Sequence, residues 1–210
     1  MTNIMIVEDQ KIIRSLLEEY IQKLPEYNLV ASTAAANQAT ELCGGIDVDL
    51  ILMDVQTEHR ENGLSAAEKI KSCHPNIKIV VITSLVDYEV LKKAKKVADS
   101  LWYKDADEAT LMNIIKLTLS GEHIFPDAPP VVEIGTAMST EFTKSEFNVL
   151  RYLLRGMSYG KIAEVMGIEV TTVKYHVSNM LQKTNFENKL QLALAVSNSK
   201  LIAELAEDDE

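Results

Sequence analysis

Along residues 1–121, short continuous apolar runs alternate with longer stretches in which apolar residues recur every three or four positions. The runs are "NIMIV" (3–7), "NLVAS" (28–32), "DLILM" (49–53), "KIVVIT" (78–83) and "SLWY" (100–103). Between the first two, residues 11–24 place Ile12, Ile13, Leu16, Leu17, Tyr20, Ile21 and Leu24 on one helical stripe. Further helices are predicted over 37–43 with Asn37 as cap, 64–72 ahead of Pro75, 87–97 with Asp87 in the first turn, and 107–120 closed by Gly121. Continuous apolar strands joined by helical crossovers predict an α/β unit with a five-stranded, doubly wound parallel sheet covered on both faces. The pattern then changes. Residues 121–138 hold three prolines and two glycines and read as a linker. From 143 onward the period is purely helical, with segments 143–156, 158–167, 171–184 and 188–205. The organisation expected is 1–121 for the α/β domain, 122–140 for the linker, 141–206 for a small all-α domain and 207–210 for an acidic tail.

Composition changes this picture little, and charge more. The 210 residues suit one large domain or two modest ones. No apolar run approaches the roughly 18 residues that span a bilayer, and "MTNIMIVED" has no basic lead, so a soluble cytoplasmic protein without a membrane partner is expected. Cys43 and Cys73 lack metal-ligand spacing and read as reduced thiols. The net charge of −10 is uneven: −5 over 1–121, −3 over 122–140, +3 over 141–202 and −5 over 203–210. Only the helical domain is basic, so nucleic-acid binding is a question for that domain alone.

The candidate chemistry lies where the predicted strands end. Strand 3–7 runs into Glu8-Asp9, strand 49–53 into Asp54, strand 78–83 ends in Thr83, and strand 100–103 runs into Lys104. A lone acid at a strand end is commonly just a solvated terminus. Here that reading would have to hold at four corresponding strand ends. In a parallel sheet these ends share one edge, where ligands bind. Three neighbouring carboxylates need a counter-charge, and oxygen-only ligands suit a hard divalent ion such as Mg²⁺. With a lysine and a hydroxyl beside it, Asp54 is placed to act as a nucleophile that forms an aspartyl phosphate.

The stretches "IMIVEDQ", "DLILMDVQ", "VVITS" and "LWYKD" resemble, in order and spacing, the receiver domain of two-component response regulators, which has a flavodoxin-like fold. The resemblance implies that Glu8, Asp9 and Asp54, with the Gln56 carbonyl, bind Mg²⁺. It implies that Asp54 takes phosphate from a sensor histidine kinase, that Lys104 pairs with the phosphoryl group, and that Thr83 turns its hydroxyl toward it. Such a domain catalyses only its own phosphotransfer and dephosphorylation, so the protein is not expected to be an enzyme. The chain departs from the family in three places, one of them Asp105, where a proline often follows the lysine. Loop 55–63 lacks the usual Met-Pro and is about one residue longer. The switch position three before the lysine, usually aromatic, is Leu101. A transcription factor whose receiver no longer switches by phosphorylation therefore stays open as an alternative, and a Mg²⁺-dependent phosphotransferase is a further rival.

Residues 158–184 fit a helix-turn-helix, with a turn at Gly167-Ile168. The second helix sets Thr171, Thr172, Lys174, Tyr175, His176, Ser178, Asn179 and Lys183 against apolar Val173, Val177, Met180 and Leu181. Hydroxyls at the helix start suit phosphate contacts, and Asn or Lys suits base edges. Physics alone leaves a plain helical interaction module open. The stretch from Phe142 to Thr184 is similar to a LuxR-type DNA-binding domain at Glu146, Leu150, Gly156, Ile162-Ala163, Gly167-Ile168, Thr172-Val173-Lys174 and His176. Joined to a receiver, it is identified as the NarL/FixJ branch of response regulators. That implies double-stranded DNA as partner, RNA polymerase as a further one, and a homodimer when phosphorylated or DNA-bound. Leu190, Leu194, Leu201 and Leu205 form either a dimer seam or intradomain core.

Overall fold

The computed structural model describes residues 1–57, 62–84, 87–104 and 107–199. The chain divides into two compact units. One holds residues 1–84 and 88–128, and the other holds Asp87 and residues 129–199. Residues Glu58, Asp105, Leu201, Leu205 and the acidic tail lie outside the described residues.

The first unit alternates strand and helix: β1 (Thr2–Val7), α1 (Lys11–Gln22), β2 (Tyr27–Thr33), α2 (Ala36–Leu42), β3 (Leu50–Asp54), α3 (Gly63–Cys73), β4 (Lys78–Thr83), α4 (Tyr88–Val97), β5 (Ser100–Tyr103) and α5 (Glu108–Leu119). The strands form one parallel sheet in the order β2-β1-β3-β4-β5. Period-two alternation divides the strand residues between two core layers. Ile4, Ile6, Leu50, Leu52, Val80, Ile82 and Trp102 pack with Leu17 and Ile21 of α1 and Leu111, Ile114 and Ile115 of α5. Met5, Val7, Ile51, Met53, Ile79, Val81 and Leu101, equally buried, point the other way. A strand buried on both faces needs an unbroken apolar run, as the sequence shows.

Two sequence expectations shift here. Ile12 and Leu16 are exposed, because α1 rests on the sheet through Ile13, Leu17, Tyr20 and Ile21. Asn37 does not cap α2. The helix starts one residue earlier, its N-cap is Ala35, and the buried Thr57 hydroxyl accepts the Ala36 N–H at 3.3 Å. Cys43 is buried and Cys73 exposed, both as free thiols. No helix among the described residues is long and apolar enough to cross a membrane.

The second unit begins inside the expected linker. A two-stranded hairpin, β6 (Glu133–Ile134) and β7 (Ala137–Met138), precedes the helices α6 (Lys144–Leu154), α7 (Tyr159–Met166), α8 (Val170–Thr184) and α9 (Lys189–Ser199). The hairpin turn sits on the end of α8. Thr136 donates from its N–H to the Thr184 carbonyl at 3.2 Å and from its hydroxyl to the Lys183 carbonyl at 2.9 Å. Helix ends leave such carbonyls without intrahelical partners, so the turn satisfies them from outside. Gly135 has φ +61°, and a Cβ there would lie 2.1 Å from the Thr184 oxygen, so only glycine fits. Helix α6 opens with a capping box between Thr143 and Glu146, and α7 closes on the left-handed Gly167.

Glu146 does more than cap. Its side chain is almost fully buried and Lys183 Nζ lies 2.7 Å from its carboxylate, with a second bond from Nζ to the Glu141 carbonyl at 2.8 Å. Burial works against the Glu146 carboxylate, but the Lys183 hydrogen bond and the Thr143 N–H outweigh it and hold its pKa below the usual value of 4.5. A depressed pKa contributes stability that is present above the unfolded value and is lost as pH falls through the folded one. The Lys183→Met variant, which leaves this buried carboxylate without its cation, is expected to destabilise α6 and α8 by about 1–3 kcal/mol. Amide exchange at Val149 and Val177 measures this, and the exposed Lys174→Met is the control, expected within about 0.5 kcal/mol of wild type. Acidification below about pH 4.5 should weaken the same amides in wild type and far less in Glu146→Gln.

Candidate functional site

The strand pairing brings the predicted residues to one edge. Val7 lies level with Met53, so Glu8 follows level with Asp54. Asp54 is level with Ile82, and Thr83 comes one residue further on, level with Tyr103. Lys104 follows Tyr103, and its N–H continues the ladder by donating to the Thr83 carbonyl at 2.9 Å. From there its side chain reaches across β4 and β3. Nζ lies 2.8 Å from Asp54 Oδ2 and 2.6 Å from Glu8 Oε2, the first a full hydrogen bond and the second an ion pair. Glu8, Asp54 and Thr83 are buried, and Asp9 is half-buried. Glu8 is held from behind: its Oε1 accepts the Gln10 N–H, and its carbonyl accepts Arg14 Nη1 at 2.7 Å.

Burial pushes Asp54 up to about 7, aided by the negative charge of Glu8 and opposed by Lys104. For Lys104, burial acts to lower the ammonium pKa, but Asp54 and Glu8 outweigh it, and the net shift is upward. One cation thus faces more than one acid. Oxygens of Glu8, Asp9 and Asp54 lie within 4.8 Å of one another. An oxygen-only set carrying three formal negative charges against one ammonium, open to water on the Asp9 side, suits a hard dication that keeps part of its hydration shell. The donor set therefore fits magnesium. Gln56, expected to add its carbonyl, lies two residues past Asp54 and bridges to Asn62 across the loop.

Leu101 does not sit among these polar groups. It is buried on β5, level with Val81, and its N–H donates to the Ile124 carbonyl. The ring beside Thr83 is instead Tyr103. Sequence reasoning also passed over Gly63. A Cβ at Gly63 would fall 1.8 Å from the Asp54 carbonyl oxygen, so α3 begins pressed against the backbone of the acid itself. The Gly63 N–H donates to the Val55 carbonyl at 3.0 Å, and the Asn62 side chain caps the helix at Leu64. A glycine directly after an Asx residue, ahead of an apolar helix, was the available signal.

In the second unit α8 presents a polar row. Thr171, Lys174, Tyr175 and Ser178 are exposed at successive helical turns, with Thr172, His176 and Asn179 half-buried at the margins. Val173, Val177 and Met180 face inward. Lys183 departs from the expected set. Its ammonium is engaged by Glu146 and the Glu141 carbonyl and lies 5.9 Å from the Phe142 ring centre, so it braces the unit instead of facing a ligand. Leu192 and Val196 are the buried residues of α9, whereas Leu190 and Leu194 are 65% and 56% exposed, which removes them from the intradomain core.

Comparison with known proteins agrees with this geometry. The chain is 28% identical over 206 residues to the response regulator protein VraR of Staphylococcus saprophyticus, covering 95% of this chain and 98% of that one. Its fold is similar to RcsB from Salmonella enterica serovar Typhimurium bound to a promoter in the presence of the phosphomimetic BeF₃⁻ (TM-score 0.62, 16% identity, 93% and 98% of the two chains). It is also similar to RcsB in a structure of two dimers bound to two parallel DNAs (TM-score 0.63, 16% identity, the same coverage). Residues 4–116 match the response regulator receiver domain, and residues 140–196 match the bacterial regulatory proteins of the luxR family. The chain therefore belongs to the response regulators that join a receiver domain to a LuxR-type DNA-binding domain.

Proposed function

We propose that the protein is a phosphorylation-controlled, cytoplasmic transcription regulator whose phosphoacceptor is Asp54. The observation that carries this reading is the Lys104 ammonium held between Asp54 and Glu8 at a buried strand edge. It fixes a donor where negative charge would develop on a transferring phosphoryl group. An Asp54 oxygen attacks phosphorus in line. The bond from phosphorus to the donor nitrogen of a histidine kinase breaks, and the imidazole leaves and takes up a proton. Lys104 then exchanges one carboxylate partner for phosphoryl oxygens, and Thr83, one residue beyond the level of Asp54, is placed to offer its hydroxyl. Magnesium held by Glu8, Asp9, Asp54 and the Gln56 carbonyl would offset the charge of the phosphoryl group and favour the ionised nucleophile.

The DNA contact is assigned to the exposed row of α8. Thr171 and Thr172 face phosphates at the helix start, and Lys174, Tyr175, Ser178 and Asn179 face the groove, with His176 at the margin. The exposed Leu190 and Leu194 on α9 supply an apolar face for a second copy, in keeping with the dimers of the RcsB complex. The acyl-phosphate chemistry ends at one turnover per chain, and RNA polymerase is the downstream partner. Leu101 gives one argument for a second reading, in which DNA binding is independent of phosphate: an aliphatic side chain, fully packed, cannot swing as a ring would.

Incubated with Mg²⁺ and acetyl phosphate, the full chain is expected to take up one phosphoryl group on Asp54, with acetate leaving, as read by intact mass. Label retained on Asp54→Asn would overturn the assignment. Gly63→Ala should slow labelling at least tenfold, because the new methyl displaces the Asp54 backbone. Lys174→Ala should weaken DNA binding about tenfold and reduce the slope of log K against log salt by about one. A binding titration with and without phosphodonor separates the two readings, since equal affinity supports the phosphate-independent one.

A further inference from the structure

β5 is an outer strand, bonded to β4 on one side only. Its other edge is closed by the chain that follows α5. Gly121, with φ +95°, reverses the direction. Then His123 Nδ1 lies 3.0 Å from the Asp99 carbonyl, the Ile124 N–H donates to Ser100 Oγ at 3.0 Å, and the Leu101 N–H donates to the Ile124 carbonyl at 2.9 Å. Ser100 and Thr118 are fully buried, with their hydroxyl oxygens 2.7 Å apart, and Thr118 Oγ1 donates to the Ile114 carbonyl at 2.7 Å. The proton order is thereby fixed. Thr118 spends its hydrogen on Ile114, so Ser100 donates to Thr118 and accepts from Ile124. A relay of hydrogen bonds joins residue 124 to helix α5 through the first residue of β5. The Ile124 side chain packs against the main core.

The residue that grips Asp54, Lys104, directly follows the same strand. We propose that residues 123–124 form a releasable strap on the β5 edge, and that phosphorylation of Asp54 loosens it and so lengthens the connector to the DNA-binding unit. This rests on the reading of Asp54 as phosphoacceptor. Lys104 Nζ lies 2.8 Å from Asp54 Oδ2, in space that a phosphoryl group on that oxygen would claim. Lys104 must re-aim, and β5 moves with it. On its inner side β5 is bound to buried β4, through Val80, Val81, Ile82 and Thr83. On its outer side, among the described residues, it is held by the strap through the hydrogen bonds of His123 and Ile124, a shorter pairing than the one with β4. The strap is therefore the contact that yields. Closed, it leaves residues 125–128 before the second unit begins at Pro129. Open, it leaves 123–128, since the Glu122 N–H stays bonded to the Leu117 carbonyl of α5. The added reach is roughly 7 Å, at about 3.5 Å per extended residue. A longer tether changes the effective concentration of one unit near the other without any new contact.

The test is amide exchange in the full chain, with Mg²⁺ and acetyl phosphate, and with Asp54 labelling measured in the same sample. Labelled protein is expected to exchange at least tenfold faster at Leu101 and Ile124 than unlabelled protein, and Asp54→Asn is expected to show no change. Label with unaltered exchange at these two amides overturns the strap alone. An absence of label overturns the phosphoacceptor reading and the coupling with it. Ser100→Ala, which breaks the relay at its centre, should raise exchange at Leu101 and Ile124 without phosphodonor, and Thr118→Val should do the same. Unchanged protection in both variants also overturns the proposal.

Discussion

Everything at the carboxyl edge of the sheet depends on one buried ammonium. Glu8 and Asp54 are removed from water on neighbouring strands, and ionised carboxylates so placed are costly without a partner. Lys104 supplies that partner for both. The charge is not cancelled, because Asp9 adds a third carboxylate oxygen to the cluster. A site left with surplus negative charge, yet containing a fixed cation, can take a metal ion and then an anion in succession. The sheet supplies the rigidity: each group sits at or just past a strand end whose register is set by two core layers. Gly63 adds a constraint on the backbone, since α3 starts so close to Asp54 that no side chain can come between them.

The second unit solves a different problem. A helix that offers its polar face to a ligand must be held from its other face and its ends. Val173, Val177 and Met180 hold the face of α8. Its carboxyl end is met by the Thr136 hydroxyl and amide, and Lys183 carries a charge from that same end onto buried Glu146. The far end is fixed, while the row from Thr171 to Ser178 stays accessible.

Much of this was legible in the sequence, for physical reasons. Strands buried on both faces must be largely apolar, so the runs of β1, β3, β4 and β5 marked strands, while β2, at the sheet edge, is only partly buried; the strand-end residues Glu8, Asp54, Thr83 and Lys104 fell on one edge once the sheet was parallel. What escaped depended on tertiary contact. The α1 stripe was read too broadly because periodicity does not say how much of a helix the sheet covers, and Ile12 and Leu16 remain exposed. Asn37 lost its capping role to Thr57, twenty residues away in sequence. Lys183 has the chemistry of a DNA contact, and only the buried Glu146 across the unit reveals why it turns inward. The hairpin at 133–138 was hidden in a proline-rich stretch because strands of two residues leave no period to read.

That hairpin bears on how such proteins are assembled from parts. The turn at Gly135 is seated on the Thr184 carbonyl, so the inheritable module starts near Pro129, well ahead of its first helix. Recombination that joined a new sensory half at residue 141 would carry over every helix yet strip the clasp from the end of the recognition element. Junctions upstream of Pro129 keep the clasp, and a segment with the composition of a spacer is in its second half part of the machine it leads to.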